Sequence, residues 1–284
     1  MDSWSLSVCC QTELNAEDCG ISEGDRMAYG NVAQPYQFPW MVLLRNQFDM
    51  FVCGGTLISR WFVLSAAHCK SRENIISVRV GENDITKEVD CRVWNADKDC
   101  APLPQDIKVD QLKSVIHPEY SNRYKTSDIA LLKLVKAAVL GFSVRPVCLP
   151  IGTPNRTIPD RLYIAGWGAN EKGTAFDVLR HGQVEHLPLE KCEPKIKNLL
   201  SRRNLTLDKH IHICTQGGKN KTNTCEGDSG GPLLTDNILE HSQFVQYGVV
   251  TVGANTCGDK NNPTLYTSVL PYLGWILATV GGNK

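Results

Sequence analysis

The sequence carries no excess charge: its 30 lysines and arginines balance 30 aspartates and glutamates over 284 residues. That balance gives no hint of a nucleic-acid or anionic-membrane partner, and neither is expected. No apolar run approaches the ~20 residues that cross a bilayer. The cysteines do not fall into the C-x-x-C pairs of a zinc ribbon. The opening residues, MDSWSLSVCC, have no basic start, apolar stretch or small-residue cleavage site, and so are not a signal peptide. Internal repeats and low-complexity stretches are also missing.

What the sequence does have is twelve cysteines, at 9, 10, 19, 53, 69, 91, 100, 148, 192, 214, 225 and 257. An even number scattered through a chain of this size reads as a disulfide framework formed in an oxidising compartment. Sequons at Asn155, Asn204 and Asn220 agree with that. The expectation is a secreted, extracellular glycoprotein whose true N-terminus lies upstream of this sequence.

The texture changes along the chain. Residues 1–26 are polar, acidic and cysteine-rich, with no clear period. From Phe38 onward come short runs such as FPWMVLL, WFVLSAA, IALLKL, LYIAGWG and QYGVVTVG, separated by Gly, Pro and Asn. Their lengths and their β-branched and aromatic content predict many short strands, hence an all-β barrel or sandwich. Only LPYLGWILATV near the end has helical spacing. Two inserted segments stand out: DCRVWNADKDC, a polar loop closed by Cys91 and Cys100, and the basic KIKNLLSRRNLTLDKH, read as solvated surface.

Three separated stretches carry chemistry. LSAAHC holds His68, TSDIALLKL holds Asp128 and CEGDSGGP holds Ser229. A serine hydroxyl is a poor nucleophile at neutral pH and needs a base within hydrogen-bond reach. Histidine can take that proton, and a buried carboxylate fixes its tautomer and steadies the imidazolium. Glycines around the serine let backbone N–H groups approach a developing oxyanion.

With FPWMV, CGGTLIS, RPVCLP, AGWG and PTLYTSV added, the chain from about Met27 to its end resembles the chymotrypsin-like, trypsin-fold serine proteases. The resemblance implies an all-β fold of two six-stranded antiparallel β-barrels with a C-terminal helix, and a serine endopeptidase whose protease domain is residues 27–284. It assigns His68 as general base and acid, Asp128 as its orienter and Ser229 as nucleophile. The oxyanion hole would be the N–H groups of Gly227 and Ser229. It also implies disulfides Cys53–Cys69, Cys192–Cys214 and Cys225–Cys257. Cys19–Cys148 resembles the tether of a light chain, and Cys91–Cys100 is added from proximity in sequence. Cys9 and Cys10 are similar to the closing pair of a clip domain, the disulfide module preceding many arthropod proteases, so residues 1–26 are read as its remnant and linker.

Further roles follow from the same resemblance. GDRMAYGN lies at the family's activation site, so a trypsin-like upstream protease would cut after Arg26 and free Met27 to pair with Asp228. Asn223 stands where trypsin-like members carry the acid that receives Arg or Lys at P1. With Gly253 at the pocket entrance and Thr264 narrowing its depth, the S1 pocket is expected to take small or medium uncharged residues. Thr251 stands where the family has a serine beside Asp128. Protein substrates and serpin-type inhibitors in an extracellular immune or haemolymph cascade are the implied partners. No cofactor is required; Glu82, Asp84 and Asp90 in GENDITKEVD form a candidate calcium set of hard oxygens. The competing class is a non-catalytic protease homologue serving as a binding scaffold.

Overall fold

The structure, a computed structural model, describes residues 14–23, 32–94, 97–124, 126–152, 158–159, 161–169, 172–203, 207–217, 224, 227–237, 243–252 and 262–282. Six strands close a first barrel: β1 (Met41–Asn46), β2 (Phe51–Ser59), β3 (Phe62–Ser65), β4 (Ile75–Val80), β7 (Gln105–Ile116) and β8 (Ala130–Leu134), in the order β1-β2-β3-β8-β7-β4. Six more close a second: β9 (Arg161–Gly166), β10 (Arg180–His186), β11 (His212–Gly217), β12 (Pro232–Asn237), β13 (Gln243–Val252) and β14 (Thr264–Ser268), in the order β10-β11-β14-β13-β12-β9. All pairings within the barrels are antiparallel. This is the chymotrypsin fold.

The short apolar runs become strands because each buries its branched side chains inside a barrel. The first core gathers Leu44, Leu57, Leu64, Val78, Ile107 and Leu131; the second gathers Leu162, Ile164, Val184, Ile213, Leu233 and Tyr266. Each such side chain contributes roughly 1.5–3 kcal/mol by leaving water. Closure removes the sheet edges on which such runs would otherwise aggregate.

The polar insertion DCRVWNADKDC is a hairpin rather than a loop. β5 (Cys91–Trp94) pairs with β6 (Asp97–Cys100), and the Cys91–Cys100 disulfide joins its facing ends. Helical structure is not confined to the C-terminal stretch, since Leu189–Arg203 form a helix, α2, with Lys195 and Lys197 of the basic segment exposed. Leu189, Cys192 and Ile196 recur at helical spacing and pack beside Leu187, Cys214, Val252 and Leu265, while Cys192–Cys214 ties the helix to β11. A shorter helix, α1 (Ala67–Glu73), carries His68 and ends at Asn74 in the left-handed region. The chain ends in a 3-10 turn (Leu270–Tyr272) and α3 (Leu273–Gly282), whose Ile276 and Val280 pack against the first core.

Residues 14–23 lie on the body of the molecule. Cys19 is bonded to Cys148, Leu14 is buried, and the Asn15 side chain exchanges two 2.7 Å hydrogen bonds with the Leu149 backbone. Gly20 donates to Pro146 O and accepts from Phe244 N, both at 2.8 Å.

Candidate active site

β3 leads directly into α1, so His68 stands at the start of that helix, and Cys53–Cys69 ties it to β2. Asp128 lies just before β8, the strand hydrogen-bonded to β3, which brings the two residues face to face. The Asp128 carboxylate is fully buried. Its Oδ1 accepts the His68 backbone N–H at 2.8 Å and its Oδ2 meets His68 Nδ1 at 2.7 Å. Two contacts to one residue fix the imidazole in position and direct its Nδ1 proton to the carboxylate, leaving Nε2 as the proton acceptor.

Ser229 sits in the turn between β11 and β12. Gly231 N donates to Asp228 O, and Gly230 N to Val250 O, both at 2.9 Å. Gly230 has φ +81°, and a Cβ there would collide with Gly54 O and Ser65 Oγ, so only glycine fits. Ser229 O accepts from Gly54 N of the first barrel at 2.8 Å, locking the turn across the cleft. Cys69 Sγ lies 3.7 Å from that carbonyl and 3.8 Å from His68 Nε2. The disulfide thus seats both groups on one sulfur. Among the described residues no hydrogen bond joins Ser229 Oγ to Nε2, and the N–H groups of Gly227 and Ser229 find no acceptor. Ligand-free hydrolase sites often have such long or unmade contacts, which tighten when substrate binds.

The Asp228 carboxylate packs against the backbone of Gly166 and Gly168 and accepts Gly168 N at 2.9 Å. A Cβ on either glycine would strike it, which accounts for the glycines of AGWG. Arg26 and Met27 lie outside the described residues, as do Asn223, Gly253, Cys9, Cys10, Cys225, Cys257 and the three sequon asparagines.

Thr264, at the start of β14, is fully buried and accepts a 2.8 Å hydrogen bond from Thr224 Oγ1. Two residues on, Tyr266 Oη accepts from Thr215 Oγ1 at 3.2 Å, and burial holds its phenol above the ordinary range. These hydroxyls form a buried polar layer at the sequence position following Asn223. The Thr224 partner was missed from sequence, where a lone Thr has no distinguishing signal. Thr251 departs from expectation. It occupies the bulge between Val250 and Val252 of β13, and its hydroxyl contacts Thr267 Oγ1 at 2.7 Å and Val249 O. Among the described residues, Asp128 accepts from His68 alone. A β-branched side chain has few χ1 choices, and here the chosen one faces β14.

Glu82, Asp84 and Asp90 are all buried, yet they divide their contacts differently. Asp84 engages Lys87 Nζ at 2.7 Å and Thr86; burial raises its carboxyl, but these partners outweigh burial and hold it low. Glu82 and Asp90 line a narrow cleft with Asn83, Tyr36 and Ser143. Burial, reinforced by their mutual repulsion for Glu82, raises both carboxyls. Asn83 Oδ1 is buried there with no partner among the described residues. Glu82 in turn pairs with Arg79 Nη1 at 3.3 Å and accepts Asn83 N at 3.0 Å, and Asp90 Oδ2 accepts Asn83 N and Asp84 N, so all three carboxylates of the candidate calcium set have protein partners.

Two barrels with a histidine–aspartate pair and a glycine-bracketed serine at their junction define a serine hydrolase. The trypsin family model matches residues 28–276, and the chain belongs to that family of serine endopeptidases. It is similar to serine protease grass of Drosophila melanogaster, 35% identical over 94% of this chain and 71% of that protein. Phenoloxidase-activating factor 3 of Holotrichia diomphalia is 34% identical over 96% of this chain and 80% of its own length. The crystal structure of the Drosophila Grass clip serine protease of the Toll pathway superposes with a TM-score of 0.81 at 32% identity, covering 96% of this chain and 78% of that one.

Proposed function

We propose that the chain is the zymogen of an extracellular serine endopeptidase of an arthropod immune or haemolymph cascade, activated by cleavage after Arg26. The observation that carries the catalytic part is the buried 2.7 Å contact between His68 Nδ1 and Asp128, held beside Ser229 by the Cys53–Cys69 disulfide. Ser229 Oγ attacks the scissile carbonyl carbon and its proton passes to His68 Nε2. The carbonyl oxygen becomes an oxyanion that accepts from Gly227 N and Ser229 N. His68 then returns the proton to the departing amine, and water, deprotonated by the same Nε2, hydrolyses the acyl-enzyme. In the zymogen reading, the freed Met27 ammonium pairs with Asp228 and organises the turn that carries both N–H groups.

The clip-protease relatives support the cascade, with an upstream trypsin-like protease as activator, protein substrates and serpin-type inhibitors; the absence of any helix long and apolar enough to cross a membrane among the described residues is compatible with it. On this reading residues 1–26 are the light-chain remnant and 27–284 the protease domain. With Asn223 neutral and Thr264 filling the base, the S1 pocket takes small or medium uncharged side chains. Glu82, Asp84 and Asp90 are the candidate calcium set, and an ion there would bind this loop to the barrel without entering the reaction.

Fluorophosphonate labelling before and after cleavage at Arg26, with Ser229→Ala as blank, tests the reading without any assumption about P1. Labelling confined to the cleaved protein is expected. No labelling in either state would favour the scaffold alternative.

A further inference from the structure

The residue before Asp128 holds an unusual backbone. Ser127 has φ +49°, in the left-handed region that residues other than glycine seldom adopt. It is buried, and its carbonyl accepts from Ile129 N at 2.8 Å, so the chain reverses tightly around Asp128. Such a conformation persists only where the surroundings over-determine it.

The surroundings come from the far end of the chain. Tyr272, in the 3-10 turn that follows the second barrel, donates its hydroxyl to Ser127 Oγ at 3.0 Å. Its ring meets the His117 ring edge-on, with centroids 4.8 Å apart, and His117 also packs against Trp275 at 5.0 Å. His117 N in turn donates to Ile129 O at 3.1 Å. Both flanks of Asp128 are therefore clamped, Ser127 by Tyr272 directly and Ile129 by the histidine on which Tyr272 rests.

We propose that Tyr272 is a positioning residue for catalysis. Through Ser127 it fixes the left-handed turn that aims Asp128 at His68, so the C-terminal turn governs the geometry of the His–Asp pair. The inference rests on the catalytic reading of His68, Asp128 and Ser229 given above. Without the tyrosine hydroxyl, Ser127 keeps a buried, unpartnered oxygen and a backbone free to relax toward the extended region, carrying the carboxylate with it.

The test uses the Arg26-cleaved protein as wild type, Tyr272→Phe, Ser127→Gly and the double variant. Fluorophosphonate inactivation gives the maximal rate, kinact, and the probe affinity, KI, separately, and circular dichroism reports folding. Tyr272→Phe should lower kinact about tenfold, the equivalent of one buried hydrogen bond left unmade, and leave KI within about twofold. Ser127→Gly should restore the Tyr272→Phe protein to within about threefold of wild type, because glycine adopts the turn without strain and has no hydroxyl to strand. Wild-type kinact in Tyr272→Phe overturns the proposal, and so does a loss that Ser127→Gly does not repair. Should Tyr272→Phe fail to fold, Ser127→Ala carries the test, since it removes the bond and keeps the strain; full kinact in that folded variant overturns it equally. A wild type that does not label overturns the catalytic reading itself, and this inference with it.

Discussion

Thr264→Gly is the substitution that most directly probes what this enzyme selects. Thr264 is fully buried at the start of β14, and its hydroxyl holds that of Thr224 at 2.8 Å. Removing its side chain takes away a methyl group, a branched carbon and the hydroxyl that bonds Thr224 and faces Tyr266. The lost bond costs about 1 kcal/mol, the methyl about 0.8, and glycine within a strand about 0.5–1, so the domain should lose roughly 2–3 kcal/mol. The space gained matches about two methylene groups of a substrate. Each methylene in such a pocket is worth about 1–3 kcal/mol, or ~10–200-fold in kcat/KM. A peptide library varied only at P1, assayed on the cleaved protein with Ser229→Ala as blank, should show the Phe-to-Ala preference rising by at least about tenfold. Thr264→Ser, which keeps the hydroxyl bond, should fall between. Thr264→Val, which keeps the shape, should not widen the pocket. If Thr264→Gly labels normally with fluorophosphonate and its P1 profile is unchanged, Thr264 does not form the pocket base and the reasoning fails.

Asp128→Asn should leave the fold intact and reduce fluorophosphonate labelling at neutral pH by about 10⁴, because an amide facing Nδ1 stabilises the wrong imidazole tautomer; labelling within tenfold of wild type would contradict the assigned role. His181 is buried against Phe38, its Nε2 has no partner among the described residues, and burial holds its imidazole below the ordinary range. The unfolded chain takes up a proton below about pH 6.5 that the folded state refuses, so stability is full above that pH and falls by up to ~1.4 kcal/mol per unit as pH drops through it. His181→Gln should flatten the Tm profile between pH 7 and 5, and parallel profiles would exclude the effect. Calcium at a hundred times its Kd should raise Tm by ~5–10 °C, a chelator should reverse this, and Glu82→Gln should abolish it; an unchanged Tm in the wild type would remove calcium from this loop.

The parts legible in the sequence were those written in local pattern. Strand-length apolar runs fixed the class of fold, and His68, Asp128 and Ser229 were visible because each lies inside a distinctive short stretch. The segment after Leu187 was harder. Leu189, Cys192 and Ile196 do repeat at helical spacing, but Pro194 and a run of basic residues obscure it, and the cluster that buries this face comes from distant strands. That Asp84 turns to Lys87 and Thr86 while Glu82 and Asp90 line the cleft was invisible, since only the fold reveals it. The turn at Ser127 is similar. A serine has no sequence mark for a left-handed backbone, and the tyrosine that holds it lies 145 positions away.

The docking of residues 14–23 has a consequence for what a cut at Arg26 does to the particle. Cys19–Cys148 spans 129 positions, and Asn15, Leu14 and Gly20 grip the body independently of it. The two fragments would migrate as one band until a reductant is added, and would sediment together even after brief reduction. Residues N-terminal to the cut would thus stay on the protease body, held at a concentration set by a tether instead of by dilution.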